Sequence, residues 1–235
     1  MRLDHRSEPS KCHKPQTADM VKNIMRTDLA VLFDLDSTLV DSSAAVRNSW
    51  IQLAGEAGFA PQALVGLHGV PAEGCIRILL PHADETEVQH WTARIEDIEV
   101  GAIDGVVAIP GAIELLAALD EREIPWTIVT SCTAPLAKIR TKIAGIAQPT
   151  TTVTFSDVTH GKPHAEPFLL GASRLGVDPS NCWVIEDAHS GVTAGKSAGA
   201  TVAAVLTTHS REELPHADHY LESLLDLLTL IDQER

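Results

Sequence analysis

Acidic side chains end two apolar stretches of the chain. Asp34 and Asp36 end the stretch AVLFDLD, and Glu186 and Asp187 end the stretch CWVIED. In a β-strand, residues two positions apart point to the same face, so Asp34 and Asp36 are expected on one side of the chain. Carboxylates gathered at the edge of an apolar core repel each other, and a cation among them would relieve that repulsion. The four acidic residues therefore predict a site that binds a cation.

Polar groups also follow two other apolar stretches. Thr130 and Ser131 end PWTIVTS, and Lys162 follows TTVTFSD in the sequence HGKP. Each group taken alone has a simpler structural interpretation: DLDS and Thr130–Ser131 as helix N-caps, Lys162 as an exposed loop residue, and Glu186–Asp187 as the start of a turn. The occurrence of all four groups, each after a predicted strand, favours a functional site instead.

The residue types suit phosphoryl transfer. Oxygen ligands are those that Mg²⁺ prefers, and Mg²⁺ commonly binds a substrate phosphate as well. With a metal screening the charge, one aspartate can attack phosphorus and form an aspartyl-phosphate. Lys162 would balance charge on the phosphoryl oxygens, and the Thr130 hydroxyl with nearby backbone N–H groups would hold those oxygens. A chain with a net charge of −14 could bind a phosphate in this way.

Alternating helices and strands are predicted to position these groups. From Pro110 onwards, helical stretches alternate with the short apolar stretches PWTIVTS, TTVTFSD, CWVIED and TVAAVLT. This pattern predicts βαβ units, and hence a doubly wound (Rossmann-like) α/β core with a parallel sheet covered on both faces. Two predicted helices matter below: one with a buried face of Leu136, Ile139, Ile143 and Ile146, and a final one in YLESLLDLLTLI. Ligands bind such sheets at the carboxyl ends of the strands.

A helical segment interrupts this core after the first strand. Residues 44–104 contain no predicted strand, and their apolar residues recur at helical spacing: Val46, Trp50, Leu53 and Ala57, then Val88, Trp91, Ile95 and Ile98. We therefore predict an inserted α-helical cap domain over residues 44–104. The core domain comprises residues 28–43 and 105–235, and the polar residues 1–27 form a flexible N-terminal extension.

Composition excludes several classes of function. The chain has 235 residues, of which 4% are aromatic, and its net charge is −14. These values oppose binding to nucleic acid or to an anionic membrane surface. The four cysteines are scattered, which favours a reducing compartment, and no stretch of about 18 apolar residues is present. We predict a cytoplasmic protein that is a monomer or weak homodimer and acts on a small phosphorylated molecule.

The motifs DLDST, VTS, GKP and IEDAHSGVTAGKSAG resemble the four motifs of the haloacid dehalogenase superfamily, over residues 29 to about 229. The stretches GKPHAEPFLLGA and DSSAAVRNSW are similar to its sugar-phosphatase group, which includes 2-deoxyglucose-6-phosphatase and glycerol-phosphate phosphatase and has β-phosphoglucomutase as a near relative. The resemblance implies that Asp34 attacks phosphorus and that Asp36 is the general acid and base. It also implies that Thr130, Ser131 and Lys162 bind phosphate. Mg²⁺ would be held by Asp34, Asp36 (through its backbone carbonyl), Glu186 and Asp187.

Several positions depart from the pattern of this family. Ser37 stands where glycine is usual, and His189 is interpreted as an exposed turn residue. His68 in GLHGVPAEG is a candidate substrate contact, although arginine is common in sugar phosphatases where Val70 stands. Val46 replaces a histidine of β-phosphoglucomutase, which argues against mutase chemistry. The expected function is a Mg²⁺-dependent sugar or polyol phosphatase; a phosphomutase is the alternative, and a non-catalytic binding protein is the third hypothesis.

Overall fold

The computed structural model describes residues 29–65, residue 67 and residues 70–234. The predicted extension over residues 1–27 and the candidate substrate contact His68 lie outside the described residues. Among the described residues, no helix combines the length and apolar content that a bilayer crossing requires.

A parallel six-stranded sheet forms the centre of the core. Its strands are β1 (Ala30–Phe33), β4 (Trp126–Val129), β5 (Thr152–Val153), β6 (Cys182–Glu186), β7 (Thr201–Val205) and β8 (His219–Leu221), in the order β5-β4-β1-β6-β7-β8. The chain adds β4 and β5 on one side of β1 and then crosses to add β6 on the other. The strand order therefore changes direction at β1, where ligands bind in sheets of this type.

Helices cover both faces of this sheet because alternate residues of β1 are apolar on both sides. Val31 and Phe33 pack in one buried cluster, and Ala30 and Leu32 pack in the other. Helices α4 (Ala112–Glu121), α5 (Ala134–Ile143) and α8 (Asp226–Glu234) lie on the first face, and α6 (Glu166–Leu175) and α7 (His189–Ser197) lie on the second. This arrangement confirms the predicted doubly wound α/β fold.

Glycine allows the helices on the second face to approach the sheet closely. A Cβ atom at Gly171 of α6 would stand 2.8 Å from a methyl group of Val129. One at Gly195 of α7 would stand 2.8 Å from Val202. The absence of a side chain at Gly171 and Gly195 therefore permits the close packing of α6 and α7 on the sheet.

The segment between β1 and α4 is helical. It contains α1 (Ser43–Ala57), α2 (Ala72–Leu79) and α3 (Glu85–Gly101), and these pack around an apolar cluster of their own, formed by Leu53, Ile76, Val88, Ile95 and Ile98. Two short antiparallel strands, β2 (Val40–Asp41) and β3 (Val107–Ala108), connect this segment to the sheet. We refer to α1–α3 as the cap.

Two of the predicted elements differ from the structure. Tyr220 and Leu221 were expected in a helix, but they belong to β8, which pairs in parallel with β7; the helix begins only at Asp226. In α5, the buried residues are Leu136, Ala137, Arg140 and Thr141, whereas Ile143 is 39% exposed. The predicted face is confirmed at Leu136, and Ile146 is also buried beyond the end of α5, but Ile143 is exposed and Arg140 is buried instead.

Candidate active site

The carboxyl ends of β1 and β6 bring the predicted acidic residues together. These strands are neighbours in parallel register, with Phe33 opposite Ile185. The backbone N–H of Asp34 donates to the carbonyl of Ile185 at 2.9 Å, which continues the pairing past the end of β1. Asp34 consequently lies beside Glu186, and both side chains are buried.

Lys162 joins these two carboxylates. Its Nζ atom lies 2.6 Å from Oδ1 of Asp34 and 2.7 Å from Oε1 of Glu186. The lysine side chain is only 5% exposed, so water screens neither ion pair effectively. Lys162 lies in the loop that follows β5, and this loop places its ammonium group beside the carboxyl end of β1.

Glu186 is held in place on both of its oxygens. While Oε1 accepts from Lys162, Oε2 accepts from the backbone N–H groups of Asp187 and Ala188, each at 3.0 Å. Its carboxylate also lies against Gly191 of α7, where an added Cβ would stand 1.6 Å from Oε1. Glu186 therefore acts as a fixed support for Lys162.

Burial changes the ionisation of this group of residues. It raises the pKa of Asp34 to about 7; Lys162 opposes that rise, and Glu186 adds to it. Burial, and then the charge of Asp34, raise the pKa of Asp187 to about 6. For Lys162, burial alone would lower the pKa, but the two carboxylates outweigh burial and raise it above the ordinary lysine value. Within the described part of the chain, Lys162 is the lysine that pairs with Asp34 and Glu186, and the raised pKa values of Asp34 and Asp187 indicate that its charge does not fully compensate the acidic residues.

This charge balance fits a divalent cation. Ligand oxygens of Asp34, Glu186 and Asp187 lie within 4.8 Å of one another, and all three residues are buried. Asp187 receives a hydrogen bond from the Thr208 hydroxyl at 2.5 Å, and its pKa is still raised. Oxygen atoms of this kind are suited to Mg²⁺. The residues present therefore fit the divalent metal predicted from the sequence.

Asp36 turns its carboxylate to a different set of partners. Its Oδ1 accepts from the Ser42 hydroxyl at 2.5 Å, and its Oδ2 accepts from Nη1 of Arg140 at 2.7 Å. The Cys132 thiol lies 2.9 Å from the same Oδ2, and burial raises its pKa well above the usual value, so it remains a protonated donor. The carboxylate of Asp36 is therefore separate from the acidic cluster.

Arg140 is the residue of this site that sequence analysis missed. Burial disfavours its charge, but the carboxylates of Asp36 and Glu99 outweigh burial and raise its pKa. Arg140 follows Ile139 directly and so falls between the apolar residues of the predicted buried face. An exposed side chain is therefore expected from the sequence. The sequence offers no signal for Arg140, because Lys138 and Lys142 flank it on the same helix and only its distant partners explain its burial.

The other predicted residues of the site lie at the end of β4 and in the turn after β1. Thr130 is buried and its hydroxyl accepts from the Cys132 N–H at 3.0 Å; Ser131 is exposed. Thr38 Oγ1 is buried with no hydrogen-bond partner in the described part of the chain. Ser37 has φ 64°, in the left-handed region that favours glycine. His189 is exposed, as predicted, but it begins α7 instead of occupying a turn.

Known proteins resemble this chain in sequence. Residues 29–199 match the haloacid dehalogenase-like hydrolase family, which confirms the resemblance drawn from the four motifs. Hexitol phosphatase A of Escherichia coli is 42% identical over 194 residues, which cover 82% of this chain and 90% of that protein. The 2-deoxyglucose-6-phosphate phosphatase 1 of Saccharomyces cerevisiae is 31% identical over 201 residues, covering 78% of this chain and 82% of the relative.

A solved structure has the same fold. The crystal structure of β-phosphoglucomutase from Clostridium difficile aligns with a TM-score of 0.76 and 25% identity, over 87% of this chain and 95% of that one. The relatives similar in sequence are thus named as phosphatases, and this structural neighbour is named as a mutase.

Proposed function

Because the chain belongs to the haloacid dehalogenase-like hydrolase family, we propose that it is a Mg²⁺-dependent phosphatase of small phosphorylated sugars or polyols. One observation carries the proposal: Lys162 is buried between Asp34 and Glu186, with Asp187 in the same acidic cluster. The neighbouring carboxyl ends of β1 and β6 thereby bring together a carboxylate nucleophile, a cation for the phosphoryl group and the carboxylates of a metal site.

Asp34 is the proposed nucleophile. Its carboxylate attacks phosphorus, the bond to the alcohol oxygen breaks, and an aspartyl-phosphate forms. Lys162 stabilises negative charge on Asp34 before the attack and on the phosphoryl oxygens during it. Because Glu186 holds Lys162 from the other side, the ammonium group is already placed when substrate arrives, which lowers the cost of organising it.

Asp36 is the proposed general acid and base. It donates a proton to the departing alkoxide, and then accepts one from the water that hydrolyses the aspartyl-phosphate. Thr130 and Ser131, at the end of β4, are proposed to donate hydrogen bonds to the phosphoryl oxygens. The burial of Thr130 directly after β4 supports its role.

The proposed metal ligands are the carboxylates of Asp34 and Asp187 and the backbone carbonyl of Asp36. When bound, Mg²⁺ would screen the charge between the nucleophile and the phosphate. Glu186 was predicted to assist. Since both of its oxygens already accept hydrogen bonds, we propose that it does so by holding Lys162.

The substrate class follows from the relatives and the cap. Hexitol phosphatase A is 42% identical over most of this chain, which makes a phosphorylated hexitol the first substrate to test. We propose that the cap, residues 44–104, closes over the sugar or polyol and excludes water, with its hinges near residues 41–44 and 104–109. The short strands β2 and β3 pair at these hinges.

A phosphomutase is the second candidate, because β-phosphoglucomutase shares the fold. The mutase would need a bisphosphate to keep the enzyme phosphorylated, whereas the phosphatase would not. Val46, on the first cap helix, offers no proton-transfer group where the family resemblance places a histidine in the mutase. This difference favours the phosphatase.

A substrate panel tests the proposed function. The purified protein with Mg²⁺ is given hexitol, hexose, 2-deoxyhexose and glycerol phosphates, and free phosphate is measured with and without EDTA. We expect phosphate release from at least one polyol or sugar phosphate, and loss of that activity in EDTA. Activity that survives complete removal of divalent metal, or inactivity on the whole panel, would contradict the proposal. Conversion of a hexose 1-phosphate to its 6-phosphate, dependent on bisphosphate, would support the mutase instead.

A further inference from the structure

Arg140 is a buried cation with one anionic partner in the core and another in the cap. Its Nη1 atom donates to Oδ2 of Asp36 at 2.7 Å, and its Nη2 atom lies 3.7 Å from Oε1 of Glu99 on α3. The arginine side chain is 7% exposed and that of Glu99 is 13% exposed. Arg140 thus links the residue proposed as general acid and base to a helix of the cap.

A second polar contact joins the same two helices. The hydroxyl of Thr133, which precedes the first residue of α5, donates to Oε1 of Glu96 on α3 at 2.6 Å. Glu96 and Glu99 lie within one turn of α3, so one face of this cap helix is attached to the core beside Asp36. The contact between Arg140 and Glu99 is therefore part of a cap–core interface.

The orientation of Asp36 depends on few groups. Among the residues that the structure describes, its carboxylate accepts from the Ser42 hydroxyl, the Cys132 thiol and Arg140, and of these three groups Arg140 alone is charged. Charge-assisted hydrogen bonds are roughly twice as strong as neutral ones, so Arg140 contributes most to the direction of this carboxylate. A buried ion pair adds little net stability compared with apolar packing. The principal effect of Arg140 is therefore expected on geometry.

We propose that Arg140 is a positioning residue, which orients the Asp36 carboxylate for proton transfer and, through Glu99, makes that orientation depend on the docking of cap helix α3. This inference rests on the proposed phosphatase function and on the proposed role of Asp36. It assigns a role to two residues that lie outside the predicted motifs. Neither Arg140 nor Glu99 contacts the phosphoryl group in this account.

Loss of the positioning of Asp36 should affect the two halves of the reaction differently. An alkyl phosphate needs a proton on its departing alkoxide, so a misplaced Asp36 slows formation of the aspartyl-phosphate. An aryl phosphate has a stable leaving group and needs no such proton, so only the second half, in which Asp36 accepts a proton from water, is slowed. Loss of positioning should therefore affect the two substrates differently.

The test compares Arg140→Met with Arg122→Met as a matched control. Arg122 forms a partly exposed ion pair with Asp232, 3.0 Å away, and has no contact with Asp36. Aryl and hexitol phosphates are mixed rapidly with each variant, and product release is followed. For Arg140→Met with the aryl phosphate, we expect a rapid initial burst that releases about one molecule of aryl alcohol per molecule of enzyme. The kcat and KM should then fall together by about 10-fold or more, with kcat/KM nearly unchanged.

For the hexitol phosphate, kcat/KM of Arg140→Met should fall by a similar factor, with no burst. Arg122→Met should behave as wild type with both substrates. A kcat/KM that falls equally for both substrates would indicate a structural role only and overturn the proposal, as would wild-type kinetics. If wild type hydrolyses neither ester, the proposed function and this inference fail together; if wild type is active and only Arg140→Met fails the test, this inference alone is wrong.

Two further variants keep the test decisive if Arg140→Met does not fold. Arg140→Lys retains the charge but has a single nitrogen, which cannot reach Asp36 and Glu99 together; its kcat should fall between those of wild type and Arg140→Met. Glu99→Gln leaves the contact between Arg140 and Asp36 in place and removes the charge on the cap, and we expect kcat to fall by about 2- to 10-fold with no loss of Tm. Unchanged kcat in both variants would overturn the proposal.

Discussion

Glu186 holds Lys162 at the site: Nζ of the lysine lies 2.7 Å from Oε1 of the glutamate, and both side chains are almost completely buried. The same Nζ contacts Asp34 at 2.6 Å. Glu186 therefore determines where the cation stands relative to the proposed nucleophile, and Gly191 of α7 provides the space that its carboxylate occupies.

Gly191→Ala should disrupt this support. The added Cβ would stand 1.6 Å from Oε1 of Glu186, so either the carboxylate or α7 must move. We expect stability to fall by about 1–3 kcal/mol, and kcat to fall by about 10-fold or more because Lys162 loses its fixed partner. Chemical denaturation and steady-state kinetics measure the two effects.

Gly55→Ala is the matched control. Gly55 lies in α1, and a Cβ there meets nothing within 4 Å. We expect this variant to gain about 0.5–1 kcal/mol of stability and to retain wild-type kcat. Equal behaviour of the two variants would show that the space at Gly191 is not required by Glu186.

Divalent metal should stabilise the folded protein through Asp187. A ligand that binds only the folded state stabilises it by about 2.7 kcal/mol at 100 times its Kd. We expect Mg²⁺ to raise the Tm of wild type, and EDTA to reverse this rise. Asp187→Asn should remove most of the response, since it removes one of the clustered carboxylates.

Asp232→Asn controls for general effects of Mg²⁺ on acidic groups. Asp232 is a partly exposed carboxylate on α8 that pairs with Arg122. Its variant should keep the full Tm response. A response that survives in Asp187→Asn would contradict the proposed metal ligands.

Stability should depend on pH through Glu99. Burial raises the pKa of Glu99 to about 6 from 4.5; Arg140 opposes the rise, and Asp36 and Glu96 add to it. Between pH 4.5 and 6 the folded chain therefore binds more protons at Glu99 than the unfolded chain does, so this contribution to stability is lost as pH rises through 6. The loss amounts to about 2 kcal/mol.

Glu99→Gln isolates this contribution because it removes the titrating group and keeps its shape. Denaturation of both proteins at pH 4.5, 5.5 and 6.5 gives their difference in free energy of unfolding. We expect wild type to lose stability relative to the variant as pH rises. A difference that is independent of pH would show that Glu99 has an ordinary pKa.

Ser37→Gly should stabilise the protein. Ser37 has φ 64°, and the left-handed conformation costs an L-residue about 1–2 kcal/mol. Glycine removes that cost but loses about 0.5–1 kcal/mol through greater freedom of the unfolded chain. The expected net gain is up to about 1 kcal/mol, with kcat retained because no reacting group is removed.

Ser173→Gly provides the comparison for Ser37→Gly. Ser173 is an exposed residue within α6, where glycine is unfavourable, so this variant should lose a few tenths of a kcal/mol. A loss of stability in both variants would show that the backbone at Ser37 is not strained.

The part of the site that lies at strand ends could be predicted from sequence. Asp34, Glu186 and Asp187 each follow an apolar stretch, and parallel strands bring their carboxyl ends to one edge. Lys162 was identified in the same way, from its place after the predicted third strand, although β5 itself has only two residues. Local pattern and topology were sufficient for these residues.

Arg140 and β8 could not be predicted by the same means. Apolar spacing alone places Ile139 and Ile143 on the buried face of α5, and only the distant Asp36 and Glu99 explain why Arg140 is buried. Similarly, Tyr220 and Leu221 continue a helical pattern, but the open edge of β7 pairs with them as a strand. In both cases tertiary contacts override the local preference.

In the proposed mechanism, the phosphoryl group is transferred to Asp34. During turnover of an aryl phosphate with Mg²⁺, borohydride would reduce an aspartyl-phosphate to homoserine, and mass spectrometry of the peptide containing residues 29–36 identifies the modified position. We expect homoserine at position 34, dependent on substrate and absent in Asp34→Asn, which should also be inactive while folded. An active enzyme that yields no homoserine at position 34, or an Asp34→Asn variant that retains activity, would contradict the account.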